Sequence, residues 1–186
     1  MALTQAQYVT LKNDILASPD MNTIPMGSIG NLAIKSLYDT LTTTDLWATS
    51  VSVDTINNAA DISKYTPADA PDATVTYTNR CLACQTKLMA LQSYTLKATT
   101  VNASLSTVRA GLRDSCIQIP AGAGGALIAS AGASGVNVLT ACTRKATRYE
   151  KLFATVSETT GTVTAFIPVL QGQISLSDIE IAREMP

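Results

Sequence analysis

Tyr77, Cys81, Cys84, Leu88 and Leu91 step by four, three, four and three residues, which sets five apolar side chains in one stripe along a helix. A helix with a single apolar stripe has to bury it against another element, so the rest of the chain must supply partners. Further stripes occur at Tyr8, Leu11 and Ile15, at Leu32, Ala33, Leu37 and Leu41, and at Leu105, Val108, Leu112, Cys116 and Ile119. Leu139, Cys142, Ala146, Tyr149 and Phe153 read as the inner side of one long helix running to about Phe153. The expected fold class is mainly α: a helical bundle with a small C-terminal β element and a short terminal helix. Residues 1–155 form its helical core domain, with 45–75 an irregular insertion, and 156–186 form a strand and short helix that reach a neighbouring subunit.

The punctuation of the chain supports these boundaries. Thr4 with Gln7 three residues on is a capping box, Leu3 and Tyr8 are placed as a hydrophobic staple, and Ser18-Pro19 ends the first helix. Two prolines and two glycines make "PDMNTIPMGSIG" a loop. Ser52 caps a short helix to about Ile62, "TPADAPDA" is a connector, and Ser104 caps the helix that follows the Cys-x-x-Cys segment. Near the C-terminus Val163, Ala165, Ile167 and Val169 alternate with Thr162, Thr164, Phe166 and Pro168, a period of two that reads as a strand. Pro168 confines that strand to an edge or an end, where it either adds to a neighbouring subunit's sheet or pairs with residues 154–158 as a hairpin. Ser177 with Glu180 caps the final helix, which carries Ile179 and Ala182.

Cys81 and Cys84 raise the question of chemistry: a redox pair, half of a zinc site, or two core thiols. A redox pair places its first cysteine at a helix N-terminus after a strand, whereas this stripe continues backward to Tyr77. Structural zinc takes four Cys or His ligands, and the chain has no histidine, while Cys116 and Cys142 stand singly. All four cysteines fall on apolar stripes, as small hydrophobes do. The lack of histidine also removes the Ser-His-Asp and Cys-His arrangements, and the acidic residues are scattered. No catalytic, cofactor-binding or metal-ligating residue is assigned. "GAGGAL" lacks the Gly-Lys-Ser/Thr of a phosphate loop and reads as a turn that permits close helix approach.

Composition narrows the partners. Apolar residues make up 46% and charged residues 15%, with a net charge of −1. A surface so poor in charge suits a protein packed against other proteins, and no global field draws it to nucleic acid or to an acidic membrane. The N-terminal segment has neither the basic nor the apolar region of a secretory signal, and no apolar run is uninterrupted enough to span a bilayer. The thiols are expected to stay reduced in a cytosol. In "TRKATRYEKLF", Arg144, Arg148 and Lys151 share one helix face, either as solvated charge or as an electropositive contact for an acidic partner or passing DNA.

Three segments carry a resemblance to a known family: "LTQAQYVTLKNDILASP" with "PMGSIGNLAIKSLYD", "VNASLSTVRAGLRDSC" before the glycine-rich turn, and "LTACTRKATRYEKLFATVSETTGTVTAFIPVLQGQISLSDIEIA". They resemble small structural proteins of tailed bacteriophages, of the head-to-tail adaptor (connector or head-completion) type. "RKATRYEKLFAT" is the most specific part, and together the segments cover roughly half of the chain. Residues 45–75 and the segment "GASGVNV" depart from the family pattern. The resemblance implies a virion protein with no enzymatic role or cofactor. It would form a ring-shaped homo-oligomer of about a dozen copies in the neck between head and tail, after assembly in the host cytoplasm. Its partners would be the portal and tail proteins, it would extend the DNA channel and touch DNA only non-specifically during ejection, and it would contact no membrane. The alternatives are another virion component (tail terminator, tail or capsid-decorating protein), a cytosolic thiol or metal protein using Cys81 and Cys84, and a small DNA-binding accessory protein.

Overall fold

The computed structural model describes residues 3–60, 65, 77–96, 98–116 and 131–186, and of 77–81 and 131–135 the backbone alone. The chain divides into two compact units, one of Met1–Thr44, Lys145–Val156 and Phe166–Pro186, the other of Asp45–Arg144 and Ser157–Ala165.

The first unit is built on helices α1 (Gln5–Ala17), α2 (Ser28–Tyr38), α7 (Arg148–Phe153) and α8 (Leu176–Glu184). The Thr4–Gln7 capping box is formed, and Leu3 is buried with Tyr8 against the same core, so the staple fixes the start of α1 as the sequence requires. That core joins Leu11, Ile15, Met21, Ile34, Tyr38, Tyr149, Phe153, Ile174, Ile179 and Ala182. α2 follows Gly27, whose φ of 110° favours glycine. Its Gly30 passes so close to the Pro25 carbonyl that a β-carbon would sit 1.9 Å from the oxygen. α2 turns inward the side bearing Asn31, Ile34 and Tyr38, and leaves Leu32 and Ala33 exposed. The final helix is capped by Ser175 and Asp178, two residues before the expected Ser177–Glu180 pair.

The second unit contains α3 (Val53–Ala59), α4 (Tyr77–Thr95), α5 (Ser106–Ser115), α6 (Ala131–Ala141) and a two-stranded antiparallel ribbon of β2 (Val51–Ser52) and β3 (Thr100–Val101). Ser52 caps α3 as expected; "TPADAPDA" and the glycine-rich segment to residue 130 lie outside the described residues. α4 packs on α5, and α5 on α6. Cys84 and Leu91 are buried along α4; on α5 Leu112 and Cys116 of the expected stripe are buried, with Arg109 and Ser115 beside them, while Leu105 is exposed. Ser104 bonds Asn102 rather than capping the helix, and Leu105 stands at the N-cap without a side-chain bond.

Four strands form one mixed sheet in the order β4-β1-β6-β5: β1 (Leu41–Trp47), β4 (Thr143–Thr147), β5 (Ser157–Thr160) and β6 (Val163–Phe166). The expectation of a mainly α bundle with a small β element is therefore wrong: the described residues combine eight helices with a four-stranded sheet and a two-stranded ribbon, a mixed α/β fold. Two segments account for the difference. "LTTTDLW" is β1, within a stretch expected to be partly helix and partly irregular, because its threonines favour an extended chain while Leu46 and Trp47 anchor the buried end. The long helix expected through Phe153 is α6, then β4, then α7. Thr147 and Glu150 form a capping box that starts α7 anew. Cys142, in the turn after α6, and Ala146, on β4, are both buried even so.

Candidate partner-binding surfaces

In the first unit, a groove of about 330 Å³ opens between buried Ile15 and Met21 and exposed Leu16 and Met26. Its two cations are fixed by the backbone. Lys12 donates to the carbonyl oxygens of Met185 and Pro186, each at 2.8 Å. Arg183 donates to Ile24 O at 2.6 Å, Pro25 O at 3.1 Å and Asn31 Oδ1 at 2.7 Å. Three residues beyond Met26, Ile29 is 85% exposed, and Leu32 on the next turn of α2 is exposed too. Such a run of uncovered large apolar side chains marks an interaction surface. The amphipathic spacing of α2 did not reveal it, because Ile29, Leu32, Ile34 and Leu37 leave two apolar sides to choose between.

A second cleft of the same unit, about 680 Å³, is lined by Tyr8, Tyr149, Leu170, Gln173, Ser177 and Asp178 among others. Tyr8 donates to Asp178 Oδ1 at 2.8 Å, and this bond to a carboxylate, with burial, raises the Tyr8 pKa. Burial pushes Tyr149 up to about 12. Both phenols stay protonated at neutral pH, so the cleft offers hydrogen bonds and ring faces rather than a general base.

Arg144, Arg148 and Lys151 do not share a helix face. Arg144 lies on β4, while Arg148 and Lys151 lie on α7 with Lys151 exposed. Arg148 is held inside its own unit. It donates to Asp20 Oδ2 at 2.7 Å and Ser18 Oγ at 2.6 Å, and its guanidinium stands 3.9 Å from Asp14 and 5.7 Å from the Tyr38 ring centre. Tyr38 donates to Asp14 Oδ2 at 2.6 Å. The Arg148 bond holds the Asp20 carboxyl below its ordinary range. One arginine against two aspartates leaves the Arg148 charge balanced within its own unit.

The strand at 163–169 is also placed differently. β6 ends at Phe166 and sits between β1 and β5, so it is not an edge strand. Val163 and Ala165 belong to it, with Ala165 buried, while Ile167 and Val169 lie beyond its end. Of the two pairings open to the sequence, β6 takes the hairpin with β5, and Ile167 N donates to Val156 O at 2.8 Å past it.

Cys84, Cys116 and Cys142 form no disulfide and are buried, and burial pushes the Cys142 thiol up to about 11. Cys81 lies on α4; its side chain is outside the described residues. The second unit also holds a charged residue that periodicity had no means to find. Arg109, fully buried, donates to Ala103 O at 2.8 Å, Ser104 O at 2.7 Å and Thr160 Oγ1 at 3.1 Å, pairs with Glu158, and lies 4.6 Å over the Trp47 ring. Trp47 Nε1 in turn donates to Glu158 O at 3.1 Å. Among the described residues no group of three or more His, Cys, Asp or Glu could hold a metal ion, and no helix is long and apolar enough to cross a membrane. No family model, curated protein or solved structure matches the chain.

Proposed function

We propose that this chain is a structural subunit of a tailed-bacteriophage particle, the head-to-tail adaptor that forms a ring between portal and tail. The observation that carries this reading is the exposed apolar surface of the first unit, at Leu16, Met26, Ile29 and Leu32, on a chain with only 15% charged residues. Large exposed apolar side chains gathered on one helix and the loop before it mark a protein-contact surface. The sequence resemblance names the particle, and the surface supplies the physical reason for assembly. Three buried thiols weigh against a cysteine-based activity, since reactive cysteines are exposed and of lowered pKa. No catalytic step is assigned to any residue.

Electron cryo-microscopy of the particle neck tests the reading. A ring of this chain between portal and tail is the expected result; density on the capsid or along the tail would make it another virion component, and absence from the particle would end the structural reading. Zinc analysis with titration of native thiols tests the rival: one equivalent of metal, or rapid reaction of the thiols, would favour it.

A further inference from the structure

In the cleft of about 680 Å³, the ring of Tyr149 is part of the core but its hydroxyl is not. Tyr149 is only 5% exposed, and its ring meets Phe153 edge-on with centres 5.4 Å apart. The hydroxyl nevertheless makes no hydrogen bond among the described residues and opens into the cleft. Polar groups on buried side chains are nearly always partnered, so a fixed hydroxyl without a partner points to a ligand. Asp178 lines the same cleft. Its Oδ1 accepts from Tyr8 at 2.8 Å and its Oδ2 from Ser175 Oγ at 2.6 Å, yet it makes no ion pair among the described residues. Oδ1 keeps a second lone pair for a further donor.

The lining discriminates between classes of ligand. Asp178 lines the cleft and no lysine or arginine does, so an anion would meet a like charge with nothing to offset it. A wholly apolar ligand would strip water from Asp178 and Tyr149 without replacing it. A cation would find a carboxylate that already takes internal donors and sits in the first turn of α8, where the helix dipole offsets its charge. A neutral polyhydroxylated ligand satisfies every group. Its hydroxyls donate to Asp178 and bond Tyr149 and exposed Ser177, while a C–H face lies against the Tyr8 ring and Leu170. The volume falls in the range of roughly 300–1,000 Å³ found for small-ligand sites. We propose that this cleft binds a neutral saccharide, with Tyr149 and Asp178 as its hydrogen-bonding pair and Tyr8 as its stacking face. The site lies wholly within the first unit and does not rest on the adaptor reading.

Saturation-transfer NMR of the full chain with maltose, N-acetylglucosamine and galactose, each up to about 20 mM, tests this. Arginine amide and inorganic phosphate serve as the cationic and anionic rivals. The expected result is transfer to at least one sugar, bound more tightly than either ion. Tyr149→Phe keeps the ring and removes only the hydroxyl, so its melting curve is expected to stay unchanged while that sugar binds about three- to tenfold more weakly. Ser177→Trp, at an exposed position on the rim, fills the cleft and is expected to abolish the transfer. No transfer to any of the three sugars would overturn the proposal. So would tighter binding of arginine amide or phosphate than of each sugar, since the site would then be ionic. Sugar binding left intact by both variants would put the sugar elsewhere on the chain and remove the cleft as its site. A clear fall in the melting temperature of Tyr149→Phe would remove the premise, because the hydroxyl would then already hold a partner within the chain.

Discussion

Replacing Arg109 by methionine tests what holds the second unit together. The substitution keeps an unbranched apolar stem and deletes the guanidinium, with its bonds to Ala103 O, Ser104 O, Thr160 and Glu158 and its contact with Trp47. These losses are unequal. Ala103 is fully buried, so its carbonyl loses its guanidinium donor where water is scarce, at about 1–3 kcal/mol. The stacked cation on Trp47 adds about 1–2 kcal/mol. Glu158 is 43% exposed and recovers water, so its lost pairing adds little. Against this, the variant no longer buries a charge, which returns part of the sum. The expected net loss is about 3 kcal/mol, or about 6–12 °C in melting temperature. Glu158→Gln, which leaves Arg109 three neutral acceptors, is expected to cost about 1 kcal/mol or less. Trp47 is the single tryptophan and touches the guanidinium, so its fluorescence during urea unfolding reports on this unit directly. Arg109→Met within 0.5 kcal/mol of wild type, or Glu158→Gln costing as much as Arg109→Met, would refute the reasoning.

Two further outcomes follow from close contacts and from burial. Gly30→Ala is expected to destabilise by about 2–3 kcal/mol, because the new methyl meets the fixed Pro25 carbonyl. Gly111→Ala, whose β-carbon would meet the Tyr94 hydroxyl end, is expected to cost about 1 kcal/mol, since that ring can swing away; thermal melts of the two variants compared side by side decide it. Cys142 has a folded pKa raised from 9.0 to about 11, so its stabilising effect is full below pH 9 and is lost as pH rises toward 11. Urea midpoints of wild type and Cys142→Ala across that range should converge, and parallel curves would show that the thiol does not titrate with unfolding.

Local cap signals hold at the start of α1 and of α3, but not at Ser104, which bonds Asn102, nor at Ser177, two residues beyond the actual cap of α8. The Thr4–Gln7 box, the Ser18 stop and the Ser52 cap each act within four residues, so the sequence alone carries them. The Thr147–Glu150 box that starts α7 obeys the same rule and stands in the sequence; the helical spacing of Leu139, Cys142, Ala146 and Tyr149 masks it, because α6, the turn after it, β4 and α7 each bury one of these in turn. The buried thiols at Cys84, Cys116 and Cys142 were legible as small hydrophobes on apolar stripes.

What the sequence by itself determined is the caps of α1 and α3, most inward-facing apolar positions and the want of charge on the surface, which depend on neighbours a few residues apart. Tertiary structure alone decided three things. It ran β6 between β1 and β5 instead of along an edge, since sheet order depends on strands more than a hundred residues away. It gave Arg148 to Asp14 and Asp20, and Arg109 to Trp47 and Glu158, since a charge chooses partners by distance in space. It also left Leu82, Met89 and Leu96 uncovered, because a helix with apolar residues on two sides shows which one it buries only when its neighbours are in place.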